Sequence, residues 1–240
     1  NRFALKKMPG AIADVGFSMW WNGGMRTVPY FHNMIGILTE TGHDSASPRM
    51  YDPKMFPRTI ALRANPGAVG VVTEDEVTGV PPARVLYPDP YKGGESHFRE
   101  PVDFMITGSM AVLRAASDSR LKWLTNINRM GHDAIRAGES GTRFYVITRE
   151  QAGFDEAQNM INVLIEGGIE VEVAEAAFRA DDKRYPEGSY VISAAQAFRP
   201  YIVDLLEKQE YPDTRLDPSA KVKAPYDIAG WTLPMRMGVE

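Results

Sequence analysis

Four histidines, His32, His43, His97 and His132, and no cysteine set the chemistry open to this chain. A thiolate nucleophile, a thiolate metal ligand and a disulfide are excluded. Carboxylate and imidazole chemistry remain. His97-Phe98-Arg99-Glu100 has the H-x-x-E spacing of a zinc pair, with His132 as a third ligand. The competing reading is a solvated approach to a helix, because the stretch runs from Gly93-Gly94 to Pro101 and would not place both side chains on one helix face. Glu40 is the second candidate. It closes the run MIGILTETGH, residues 34–43, in which apolar residues lead straight into one carboxylate. A carboxylate at the end of a buried strand is partly desolvated, which favours its neutral form and suits it to accept a proton. It would also lie where α/β sheets place ligands, beyond a strand's C-terminal end. The bland alternative is the solvent end of the strand.

The remaining motifs carry less. His32 sits between aromatic residues in an expected helix and reads as a packing histidine. His43 follows Glu40 too closely to share its strand face and reads as loop. Trp20-Trp21 beside Gly23-Gly24 reads as core plus turn, or as an aromatic lip over a pocket. Glu74-Asp75-Glu76 reads as a solvated loop. No phosphate-binding glycine loop, dinucleotide fingerprint or serine-hydrolase elbow is present.

These residues need elements to position them. Thr27-Val28-Pro29 resembles a helix start, and a short helix through Tyr30 to Met34 follows. Ile35 to Glu40 reads as a short buried strand. Residues 46–100 are dense in Pro and Gly and read as turns and extended loop. Residues 101–138 carry apolar positions at steps of three and four, with a polar break near Ser117-Asp118-Ser119, so two helices or one kinked helix are expected. From Gly141 the texture changes. TRFYVI reads as a strand, DEAQNMINVLIEGG as a helix stopped by Gly167-Gly168, and IEVEV as a strand neighbouring TRFYVI. GSYVIS is a further strand, and Arg199 to Gln209 a helix opened by Pro200. This alternation predicts an α/β layer with some parallel pairing.

Length and composition bound the class. The chain has 240 residues, 44% hydrophobic and 24% charged. That allows one large domain or two small ones, burying ~70% of the unfolded surface. Net charge is −4 and no basic stripe occurs, so nucleic acid is not an expected partner. No apolar run reaches the ~18 residues of a membrane span. The first residues, NRFALKKMPG, lack a signal-peptide core and do not begin with Met, which reads as a processed or trimmed piece.

The run WWNGGMRTVPYFHNMIGILTETGH, residues 20–43, resembles the end of the catalytic domain in bacterial zinc carboxypeptidases of the carboxypeptidase A-like family. The stretches YPEGSYVI, QAFRPYIVDLLEKQEYPD and PYDIAGWTLPMRMGV resemble the same subfamily's C-terminal extension, which is similar to class I glutamine amidotransferase-like domains. The resemblance implies an α/β fold: residues 1–138 as the C-terminal part of a carboxypeptidase-like domain, and residues 139–240 as a smaller amidotransferase-like layer. It implies hydrolysis of C-terminal residues from peptides, with Glu40 as general base and Arg26, after the Gly-Gly loop, as a substrate-binding candidate. It also implies a periplasmic or secreted location. In that family the H-x-x-E pair, a further histidine and the substrate arginines precede the base. Here 39 residues precede Glu40, and His32 is their one histidine. The capping tyrosine should also precede the base in a loop, but no Tyr occurs before Tyr30. The implied entity is therefore a fragment, with zinc bound in the full-length parent and none expected in this chain. Amidotransferase chemistry is closed to it, since that needs a Cys nucleophile. The rival expectation is a non-catalytic α/β binding or interaction module.

Overall fold

The computed structural model describes residues 2–13, 24–42, 45–56, 79–80, 82–213, 218–219 and 232–240. The chain combines helix and sheet and divides into two compact units. The first comprises residues 1–19, 38–120 and 212–226, the second residues 20–37, 121–211 and 227–240.

In the first unit a one-turn helix, α1 (Arg2–Leu5), packs on α3 (Arg99–Asp118). Phe3 stacks on Phe104 with ring centroids 5.4 Å apart. Lys6 Nζ donates to Thr107 Oγ1 at 3.2 Å, which gives the buried threonine a charged partner. Strand β1 (Arg49–Tyr51) pairs antiparallel with β2 (Gly94–Ser96). Tyr91 packs against Tyr51 and Phe56, at 6.0 and 5.8 Å between centroids. Gly93 has φ +79°, and a Cβ there would meet the Tyr51 carbonyl oxygen at 2.6 Å. Only glycine serves at that position.

The second unit holds the main core. It contains α2 (Val28–Phe31), α4 (Arg120–Ser140, entering the unit at Leu121), β3 (Phe144–Ile147) and α5 (Phe154–Glu166). Then come β4 (Glu172–Val173), β5 (Phe178–Ala180), β6 (Lys183–Tyr185), β7 (Tyr190–Ser193), α6 (Arg199–Leu206) and α7 (Leu233–Met237). The expected break near Ser119 is real and separates α3 from α4. Ala157, Met160, Ile161 and Leu164 fall at i, i+3, i+4 and i+7, so α5 buries one face. That face meets Ile147, Ile169, Ile192 and Ile202. Each fully buried large side chain among them contributes about 1.5–3 kcal/mol. Gly168, at φ +80°, closes α5: its N–H bonds the Ile165 carbonyl and Ile169 N–H bonds that of Leu164.

Two expectations about this sheet are corrected. TRFYVI and IEVEV share a sheet and are joined by α5, but they are not neighbours. The order is β3-β7-β4, and both pairings are antiparallel rather than parallel. The reason is burial. Tyr190–Ser193 is the strand with the fully buried Ile192, so it takes the centre, while Glu172 and Val173 of β4 are exposed. The hairpin β5–β6 returns the chain for β7 to enter. Its two-residue turn is Asp181-Asp182, with φ of 45° and 61°. Aspartate tolerates that conformation better than most residues, and a two-residue turn of this hand matches strand twist.

Three tyrosines make the fold sensitive to alkali. Burial pushes the Tyr145 phenol up, and its hydrogen bond to the Glu207 carboxylate adds to this. Tyr201 is raised by burial, then by Asp204 and Glu166. Tyr91 is raised by burial, then by Glu100. A group raised in the folded state contributes stability that is present below its unfolded value and lost as pH climbs through the folded one. Thermal stability should therefore fall above about pH 10. In an ultraviolet titration, the last tyrosines should ionise together with loss of the circular dichroism signal. Ionisation of all 10 tyrosines in the ordinary range, with the fold intact, would contradict this.

Candidate functional site

The segment leading to Glu40 starts in a turn. Thr27 Oγ1 donates to the Gly24 carbonyl at 2.6 Å, and Pro29 sits in the first turn of α2. The helix spans Val28–Phe31: it starts at the expected Thr27-Val28-Pro29 signal and stops short of the expected Met34. Asn33, at φ +60°, ends it and donates through Nδ2 to the Ala197 carbonyl at 2.9 Å. His32 is a packing residue, as its aromatic neighbours suggested. Its ring lies 4.8 Å from Phe198 and 4.7 Å from Tyr201.

The expected buried strand is not formed. Residues 35–42 have neither helix nor strand, and Ile35 and Ile37 are 62% and 56% exposed. Apolar and β-branched residues favour a strand only where another strand offers its edge. Among the described residues none pairs with this segment. Local contacts hold it instead. The Tyr30 hydroxyl donates to the Gly36 carbonyl at 3.1 Å. Gly36 lies so close to the Arg26 backbone that an added Cβ would sit 1.7 Å from the Arg26 oxygen. Glu40 is exposed, so partial desolvation by a buried strand does not act on it. Arg26 is half-buried in the turn before α2 and belongs to the second unit, whereas Glu40 belongs to the first.

The H-x-x-E pair has a structural use that sequence reading missed. Glu100 lies in the first turn of α3, and its Oε2 accepts from Ser96 Oγ at 3.0 Å. Its Oε1 accepts from the His97 backbone N–H at 3.4 Å. The carboxylate thus reaches back across the helix start, where the unpaired N–H groups and the helix dipole favour negative charge. The serine four residues before the glutamate was the available signal. The His97 ring leans toward Glu95, with Nε2 3.9 Å from Oε1. His132 is an exposed residue of α4. Among the described residues no three His, Asp or Glu side chains gather as a metal site. His43, Trp20, Trp21, the Glu74-Asp75-Glu76 cluster and Pro225 to Trp231 of the PYDIAGWTLP run lie outside the described residues.

Glu100→Ala should cost about 0.5–2 kcal/mol in urea unfolding, the range for a lost helix cap. It should leave zinc uptake unchanged. A loss of stoichiometric zinc in that variant would replace the capping role with a metal role.

No protein-family model, no curated protein and no solved structure matches the chain. Among the described residues no helix is long and apolar enough to cross a membrane.

Proposed function

We infer that the chain is part of a zinc-dependent metallocarboxypeptidase-like hydrolase that removes C-terminal residues from peptides in an exported setting. Glu40 is its proton acceptor and Arg26 a substrate-binding cation. The zinc ligands of that enzyme lie outside residues 1–240, and no step through the metal is assigned to the side chains of this chain. One observation supports the reading above others: Glu40 is exposed to solvent, with no ion pair among the described residues. A proton acceptor must be reachable by water and substrate.

The second reading is a non-catalytic interaction module. It draws on the large apolar residues that α3 leaves exposed, among them Met105, Ile106, Met110 and Leu113. A longer protein that includes this chain separates the two. Stoichiometric zinc and release of C-terminal residues from peptides are the expected results. A folded, zinc-free protein without peptidase activity would leave the interaction module standing.

A further inference from the structure

His32 sits between two backbone carbonyl oxygens. Its ring Nδ1 lies 2.9 Å from the Val28 carbonyl oxygen, and its Nε2 lies 2.9 Å from the Gly167 carbonyl oxygen. Both partners are backbone oxygens, which accept hydrogen bonds and cannot donate them. A neutral imidazole has one N–H and one lone pair. It can satisfy one of the two carbonyls and must turn a lone pair toward the other. Only the imidazolium, with N–H on both nitrogens, makes both bonds.

The surroundings suit a cation. Gly167 caps the C-terminal end of α5, a helix of 13 residues whose closing carbonyls carry partial negative charge. The Phe198 and Tyr201 rings border the imidazole. The titratable and charged groups on the elements packed there are Glu166 of α5, Arg199, Tyr201 and Asp204 of α6, and Arg26 and Tyr30 of the histidine's own segment. Burial, then Asp204 and Glu166, push the Tyr201 phenol up, so that ring stays neutral as pH rises through 7. The His32 ring is half-buried, so solvent protons reach it.

We propose that protonated His32 fastens residues 24–37 to the end of α5 and the start of α6, and that its deprotonation loosens this segment. The released proton goes to solvent, and the Gly167 or Val28 carbonyl loses its donor. Asn33, bonded to Ala197, remains as a second tie, so the segment loosens without the core opening. The fastened state holds one more proton than the loosened one, so fastening strengthens as pH falls and weakens as it rises. Histidine changes charge between about pH 5 and 8, which sets the range to examine. The inference is independent of the role given to Glu40.

Hydrogen–deuterium exchange of the whole chain tests it, with rates corrected for intrinsic pH dependence. Protection at residues 24–37 should drop on the order of tenfold between about pH 5 and 8, the scale of one hydrogen bond to a charged group. The α5 and β7 amides should hold their protection over that range. His32→Phe keeps a ring beside Phe198 and Tyr201 but has no donor, and its protection at 24–37 should be low and independent of pH. Equal protection at both pH values in the unmodified chain overturns the proposal, as does a pH dependence that survives in His32→Phe. If His32→Phe fails to fold, nitrogen NMR of the unmodified chain decides. The His32 ring nitrogens and the Gly168 amide should titrate at the same pH; separate midpoints overturn the proposal.

Discussion

Glu40→Gln, made in a longer protein that contains this chain, should lower peptide hydrolysis on the order of 100-fold or more. Glutamine keeps the size and polarity of the side chain but cannot accept the proton of an attacking water, and general-base contributions have that magnitude. The loss should appear in kcat and in kcat/KM together, the pattern of an interaction made in the transition state. Folding should be untouched, because Glu40 is exposed and has no hydrogen-bond or ion-pair partner among the described residues. Exposed substitutions of that kind usually stay within about 0.5 kcal/mol. Steady-state kinetics on a peptide series, with zinc content and thermal melting as controls, would measure this. An unchanged peptidase rate would remove Glu40 from the chemistry.

Gly138→Ala should destabilise the second unit by about 2–3 kcal/mol, although local propensity argues the opposite. Alanine in a helix interior gains about 1 kcal/mol over glycine. At Gly138, however, a Cβ would sit 2.1 Å from the Ala194 carbonyl oxygen and 2.5 Å from the Ala195 nitrogen. Backbone cannot swing aside as a flexible side chain does. Relief must move residues 194–195, and the Ala194 N–H bond to the Arg143 carbonyl, 2.8 Å long, would go with them. Overpacking strain plus one lost hydrogen bond outweigh the helix gain. Gly131 on the same helix is the control. There a Cβ would meet the Ala197 Cβ at 3.6 Å, an ordinary contact, so Gly131→Ala should be neutral or stabilising by up to about 1 kcal/mol. Urea unfolding of both variants tests the pair. A stabilised Gly138→Ala would show that α4 is free to move away from the end of β7.

The sequence by itself determined the elements whose signals are local. The α5 helix follows from apolar residues at 157, 160, 161 and 164 and from its glycine stop. The α3–α4 break follows from the polar residues at 117–119. The strands at 144–147 and 190–193 follow from short β-branched and aromatic runs. The Asp181-Asp182 hairpin was written there as well but went unread, since its mark is tolerance of positive φ rather than a glycine.

What the tertiary structure decided was pairing and environment. The order β3-β7-β4 depends on which strand finds a partner on each edge, and no window of sequence contains that information. The run from Ile35 to Glu40 has the composition of a core strand yet stands exposed, because a strand needs another strand's edge and none among the described residues supplies it. The same holds for the candidate site residues. Sequence spacing paired His97 with Glu100, but three dimensions gave the carboxylate to the start of α3. His32 looked like simple packing. The carbonyl of Gly167, 135 residues further along the chain, lies 2.9 Å from its Nε2.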